Sequence, residues 1–168
     1  RFDIIQNEKN IGKGASIRRG MNIASSKYII LMDGDLEIDI KSIPSLIKFY
    51  ENSKNNVLLG IRWKPNHKLP IELNRIGNFI INGMFNILYK TNFTDVLCCL
   101  KIIDTEVLRS FNLESDGFSI EVEIMANISL QKLSYYEKEI SYTRRNTVQG
   151  KKLKMTDSFV IIFKIFQN

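Results

Sequence analysis

KYIILMDGDLEID, residues 27–39, is the stretch from which the fold is read. Tyr28 to Met32 is a short apolar run rich in β-formers, the pattern of a buried strand. It stops at Asp33-Gly34-Asp35, with Leu36 and Glu37 behind. A strand that leaves a core and ends in carboxylates presents hard oxygen ligands at its C-terminal edge. Magnesium and manganese take one or two such carboxylates together with substrate phosphate oxygens. Gly34 is expected to let the backbone turn closely between the two acids. The same residues also read as a solvated turn capping the next helix, since Asp-Gly is a common turn dipeptide. Both readings stand at this point.

Upstream, Phe2 to Gln6 reads as a strand and Asn7 to Asn10 as a polar loop. Asn10-Ile11-Gly12-Lys13-Gly14-Ala15 then leads into a helix expected to run to about Ser25. Gly12, Lys13 and Gly14 before a helix can bring backbone N–H groups and an ammonium to a phosphate. The Walker spacing is absent, and a plain glycine-rich strand-to-helix turn fits equally well. Downstream, Ser42 and Pro44 mark a helix start, and Ile43, Leu46, Ile47 and Tyr50 recur at helical spacing. Val57 to Ile61 is a further apolar strand, ended by Arg62. Strands alternating with helices predict an α/β fold, a mainly parallel sheet flanked by helices. Ligands bind such sheets beyond the carboxyl ends of the strands, where Asp33, Asp35 and Arg62 fall together.

Trp63 to Pro70 reads as a loop carrying the sole histidine, His67, to which no role is assigned. Glu72 to Tyr89 is a predicted helix; Leu73, Ile76, Ile80, Met84, Ile87 and Leu88 form a stripe that reads as its core face. Asp95 and a strand from Cys99 to Ile103 follow. Ser119 to Gln131 is a predicted helix with Glu121 and Glu123 in its first turn, where acids ordinarily complement the helix dipole. Ser134 to Tyr142 reads as a strand and Thr143 to Lys154 as a basic loop. Ser158 to Phe166 is apolar but too short for a bilayer; it reads as a packing helix, an interfacial helix or the start of a longer element.

The 168 residues suit one domain, and 44% hydrophobic with 25% charged residues is a globular composition. Arg1-Phe2-Asp3 shows no signal-peptide pattern and lacks an initiator methionine, so the chain is expected to be a fragment. Cys98 and Cys99 are adjacent and read as small core residues of a reducing compartment. Asn92-Phe93-Thr94 and Asn127-Ile128-Ser129 match the glycosylation triplet, read here as chance. The net charge is +6, and residues 141–168 carry Arg144, Arg145, Lys151, Lys152, Lys154 and Lys164 against Asp157 alone. Such a basic segment calls for an anionic partner: phosphate, nucleic acid or an acidic membrane face.

Taken in order, these motifs resemble family 2 glycosyltransferases of GT-A fold, and within them dolichol-phosphate mannosyltransferase and its bacterial polyprenyl-phosphate relatives. The motifs are N-x-G-K-G-A (Asn10 to Ala15), R-x-G (Arg18 to Gly20), D-G-D-L-E (Asp33 to Glu37) and R-x-G-N (Arg75 to Asn78). T-D-x-x-x-C-x-K (Thr94 to Lys101), G-F-x-x-E-x-E (Gly117 to Glu123), I-S-Y-x-x-R (Ile140 to Arg145) and G-K-K (Gly150 to Lys152) complete them. Departures are Gly34 where the family usually has Ala, Leu100 where an aromatic is usual, and Arg144 where a proline precedes the family arginine, matched here by Arg145. The family's first two strands, with much of the base pocket, have no counterpart.

The resemblance implies one GT-A domain over residues 1–168, incomplete at the N-terminus and with its C-terminal boundary open. It implies inverting transfer of a sugar from a nucleoside-diphosphate sugar to a polyprenyl or dolichyl phosphate. Asp33, Asp35 and Glu37 would hold Mg2+ or Mn2+. Gly12, Lys13 and Gly14 would shape the donor site, and Arg62, Arg75 and Asp95 would lie near substrate phosphates. Arg145 and Lys151 would grip the acceptor phosphate, with Asp33, Asp35 and Arg145 as the catalytic set. Glu121 and Glu123 would order the site. The partners implied are the donor, the lipid phosphate and a membrane surface, not nucleic acid, with a peripheral location on the cytoplasmic face. Two rivals are a nucleotidyltransferase built on the same carboxylates, and a non-catalytic module docking its basic tail on a membrane or nucleic acid.

Overall fold

A computed structural model describes residues 4–63, 73–143 and 155–167. Four strands form one sheet: β1 (Tyr28–Leu31), β2 (Val57–Ile61), β3 (Lys101–Asp104) and β4 (Tyr135–Glu139). Around them lie α1 (Lys13–Ile23), α2 (Ile43–Glu51), α3 (Leu73–Tyr89), α4 (Thr105–Arg109), α5 (Ile120–Leu130) and α6 (Met155–Gln167). The result is an α/β fold with a single open sheet flanked by helices.

The strand order is β1-β3-β2-β4. β1, β2 and β4 run in one direction, as alternation with helices predicts. β3 lies between β1 and β2 and runs against both, with Leu31 opposite Lys101 and Leu59 opposite Lys101 in the two ladders. β2 and β4 pair in parallel from Val57–Tyr135 to Ile61–Glu139. The carboxyl ends of β1, β2 and β4 and the amino end of β3 therefore share one edge.

Side chains alternate along the strands and build a core on each face. Val57, Leu59 and Ile103 pack with α3, α5 and α6 through Phe85, Ile124 and Ile165. Leu58, Ile102 and Leu100 pack with α2 through Leu46 and Tyr50. β2, central and covered on both faces, is accordingly apolar throughout. α5 is buried from Ile120 to Ala126 without interruption, its two glutamates included.

Several expectations are corrected. Residues 4–6 are not strand, and Ile4 is 89% exposed with no ladder to join. α1 begins at Lys13, and α4 appears where no helix was expected. The stripe on α3 is not its core face. Ile81 and Phe85 are buried, while Ile76, Ile80, Ile87 and Leu88 are exposed and Phe79 is 80% so. The reason is polar. Asn82 and Asn86 both donate to the Phe93 carbonyl at 2.8 Å, and Asn82 accepts from the Val96 amide at 2.9 Å. These amides fix which face of α3 turns inward. α6 docks on the same side, its Ile165 carbonyl accepting from the Tyr89 hydroxyl at 3.0 Å.

Candidate active site at the strand edge

Asp33 and Asp35 follow β1 at the shared edge. Asp35 turns back on its own loop, accepting the Glu37 amide at 3.1 Å. The left-handed residue of this turn is Leu36, at φ 63°, and not Gly34. That conformation costs a non-glycine residue about 1–2 kcal/mol. Glu37 is directed at the Tyr142 hydroxyl, which donates to it at 2.8 Å. The three acids expected to share one cation thus do not converge; among the described residues no group of three such side chains could hold a metal.

Asp33 instead belongs to a chain of four charges. Lys13 Nζ lies 2.6 Å from Asp33 Oδ1 and 2.6 Å from Glu121 Oε1. The other oxygen of Glu121 pairs with the wholly buried Lys101, which also donates to the Cys98 carbonyl. Burial alone pushes the Glu121 carboxyl up, but the charges of Lys101 and Lys13 outweigh it and hold it below its ordinary range. Burial pulls the Lys13 ammonium down, yet Glu121 and Asp33 raise it on balance, so it stays charged. Lys101 is the residue that sequence reasoning left out of the site. Its signal was the T-D-x-x-x-C-x-K motif, which ends on it.

Glu123 serves a different end. It accepts the Glu114 amide at 3.0 Å and the Ser115 amide at 2.9 Å, and Lys164 of α6 lies 3.2 Å away. The loop so held presses on the glycines before α1. The Asp116 carbonyl accepts from Gly14 N at 2.7 Å and from Ala15 N at 3.3 Å, and Gly12 N donates to Asn10 at 3.0 Å. A Cβ at Gly12, whose φ is 90°, would sit 2.3 Å from the Asp116 oxygen, and one at Gly14 1.9 Å from the Ser115 oxygen. The Gly12, Gly14 and Ala15 amides are therefore engaged within the chain. These glycines are required by backbone packing, and Lys13 between them reaches Asp33 and Glu121.

Arg62 and Asp95 are brought together, but with each other. Arg62 donates through Nε at 2.8 Å and Nη2 at 2.7 Å to the two oxygens of Asp95, which also accepts the Arg62 amide at 3.1 Å. The guanidinium lies 4.6 Å from the Trp63 ring centroid and 5.6 Å from that of Tyr142. This fork is a largely buried clamp that ties β2 to the turn at residues 95–98. Cys98 and Cys99 are free thiols, as expected of core residues, and burial pushes Cys99 up to about 11. The Arg75 side chain, Arg145, Lys151 and His67 lie outside the described residues.

A divalent cation fits two of these acids. Asp33 is partly exposed at 35%, and Asp35 sits two residues away on the same turn. Two carboxylates suit a hard cation completed by substrate oxygens. Glu37 accepts from Tyr142 through one of its two carboxylate oxygens.

Comparison with known proteins bears on this edge. Residues 1–111 match the family described as Glycosyl transferase family 2. An uncharacterised protein of Methanocaldococcus jannaschii is 32% identical over 148 residues, 82% of this chain and 63% of that protein. Dodecaprenyl-phosphate galacturonate synthase of Rhizobium johnstonii is 29% identical over 110 residues, 66% of this chain and 32% of that enzyme. Glycosyltransferase AglJ of Haloferax volcanii is 28% identical over 115 residues, 67% of this chain and 38% of that enzyme. The chain thus spans between about a third and under two thirds of these relatives. Among solved structures, glucosyl-3-phosphoglycerate synthase of Mycobacterium tuberculosis with Mn2+, UDP-glucose and phosphoglyceric acid superposes at TM-score 0.66 and 13% identity. The match covers 93% of this chain and 54% of that one, and shows a shared GT-A fold.

Proposed function

This chain belongs to glycosyl transferase family 2, and we propose that it moves a sugar, with inversion, from a nucleoside-diphosphate sugar to a polyprenyl or dolichyl phosphate. The observation that carries this reading is the strand edge itself. A partly exposed Asp33 stands beside an ammonium, Lys13, that a buried Glu121 and Lys101 hold in place. Asp33 and Asp35 would hold Mg2+ or Mn2+. Once bound, such an ion offsets charge on a diphosphate leaving group.

The chain's own residues do the rest. Lys13 offers a point charge to the donor phosphates. Arg145 and Lys151, from the basic segment, grip the acceptor phosphate, where arginine gives a planar fork. No side chain need remove a proton. A lipid phosphate is anionic at neutral pH, its second ionisation lying near 6. Glu121, held ionised by two ammoniums, is a poor proton acceptor and acts as a fixed anchor for Lys13. The likeness to the Rhizobium dodecaprenyl-phosphate galacturonate synthase supports a lipid-phosphate acceptor. The exposed apolar residues of α3 and α6, among them Phe79, Ile87, Phe163 and Phe166, support a peripheral seat on a membrane. No described helix is long and apolar enough to cross one.

The test is an assay of the full-length protein with a panel of radiolabelled nucleotide sugars, with and without polyprenyl phosphate. The expected product is a lipid-linked sugar of inverted anomeric configuration, released with free nucleoside diphosphate. A product that retains the nucleotide would identify a nucleotidyltransferase instead, and transfer to water-soluble acceptors alone would remove the lipid.

A further inference from the structure

The four charges of the edge are balanced: Lys13 and Lys101 against Asp33 and Glu121. The balance is unequal in mobility. Glu121 and Lys101 are buried and bound to each other, and neither has anywhere to go. Lys13 and Asp33 are the members with solvent access, at 17% and 35%. Lys13 is also pinned at its backbone, because Gly12 and Gly14 lock the start of α1 against residues 115–116. Only the far end of its side chain can move.

An ammonium 2.6 Å from Asp33 Oδ1 occupies the place a divalent ion would take on that oxygen. The two cations repel each other at such range. An ion arriving alone on that oxygen must therefore draw Lys13 off Asp33 and leave it with Glu121 alone beside the ion's positive charge. A diphosphate arriving with the ion removes that difficulty, since its oxygens receive the ammonium as Asp33 gives it up.

We infer that Lys13 is a resident counter-ion of Asp33, drawn off by a diphosphate, so that the edge admits a divalent cation together with the donor phosphates and not ahead of them. The inference rests on the reading above that Asp33 ligates the cation. It adds an order of binding, imposed by one side chain that exchanges partners, and it makes metal and donor affinities reciprocal.

The experiment measures Mn2+ binding, without any donor, to the full-length protein by electron paramagnetic resonance and calorimetry. Lys13→Met and Lys13→Gln, which remove the charge, should bind Mn2+ at least about tenfold more tightly than wild type. Lys13→Arg, which keeps the charge, should remain as weak as wild type. Lysine-selective NMR on the unaltered protein provides a check that needs no variant. Inorganic pyrophosphate without metal should move the Lys13 side-chain signal, and Mg2+ without pyrophosphate should not. If Met and Gln bind Mn2+ no better than wild type while Asp33→Asn abolishes binding, Asp33 is a ligand and Lys13 is not its gatekeeper. If Asp33→Asn in the Lys13→Gln background leaves Mn2+ affinity unchanged, the ligand role of Asp33 fails and the inference falls with it. A Lys13 signal that ignores pyrophosphate also overturns it.

Discussion

Two ion clusters stand at the same sheet edge and behave as opposites. In one, Arg62 and Asp95 satisfy each other through a two-pronged fork, with Trp63 and Tyr142 closing over the guanidinium. Asp95 has 3% of its side chain exposed. In the other, Asp33 is reached by a single ammonium and remains open to solvent. Both use an acid and a base just beyond adjacent regions of the strand edge. The closed cluster commits the guanidinium's Nε and Nη2 donors to both oxygens of Asp95 and so ties β2 to the loop that carries Asp95. The open one keeps an oxygen and an ammonium that can change partners, which is what a site for anionic substrates requires.

The sharpest way to break this contrast is to cut the closed cluster. Arg62→Met should cost about 3–5 kcal/mol of stability, because Asp95 is left charged and buried without its partner. Arg62→Met with Asp95→Leu should recover much of that loss, since an apolar pair of similar volume replaces the ions. Denaturant unfolding measures both; a single variant as stable as wild type would make the clamp an exposed pair in disguise. The open cluster should respond in the other currency. Asp35→Asn should lower turnover about a hundredfold to a thousandfold, in the range of one lost electrostatic stabiliser, while the unfolding midpoint stays put. Initial rates with excess Mn2+ decide this, and full activity in excess chelator would end the metal reading.

Arg145→Ala asks which substrate the open side serves. Loss of a charge-assisted hydrogen bond costs roughly 1.5–3 kcal/mol, so acceptor affinity should fall about tenfold to a hundredfold with donor affinity unchanged. A fall in donor affinity alone would reassign the basic segment. The smallest effect is expected at Glu121→Gln and Glu123→Gln, each keeping more than about a hundredth of wild-type turnover, the least that a general base supplies. The pH profile adds a second reading. Glu121 sits below its ordinary range when folded, so its pairing contributes above about pH 4.3 and fades as pH falls through the lower folded value. Lys13 is raised, so its contribution is present below about pH 10.4 and fades as pH rises past the folded value. Between pH 6 and 9 neither group titrates, and single-turnover rates should show no limb from either. A thousandfold collapse in either glutamine variant, with the fold intact, would reveal a base and a hydroxyl acceptor.

Much of this was legible in the sequence. β1 and β2 are short apolar runs that end in charge, and the alternation with helices put Asp33, Asp35 and Arg62 at one edge, where they lie. What the residues could not disclose is non-local. β3 runs against its neighbours, and no property of residues 101–104 encodes the direction in which partners seventy and forty residues earlier will meet it. Lys101 closes a family motif in the sequence, but its burial makes sense only once Glu121, on another element, is beside it. The glycines of residues 12–14 read equally as a phosphate cradle or a plain turn, because their press-fit against residues 115–116 needs a loop about a hundred residues later. The outward stripe on α3 was misread for a related reason: hydrophobic period marks a face, and two asparagines decided which face turned in.

The reversed strand also sets a schedule. β1 and β2 never touch each other; each finds its ladder on β3. A ribosome adds about 5–20 residues per second. The roughly 70 residues between Leu31 and its partner Lys101 therefore take about 4–14 s to appear. For all that time β1 waits in the nascent chain without the ladder it makes to β3. Translation speed across residues 62–101, and whatever shelters β1 meanwhile, thus bear on the yield of folded protein in a way that no contact in the finished structure records.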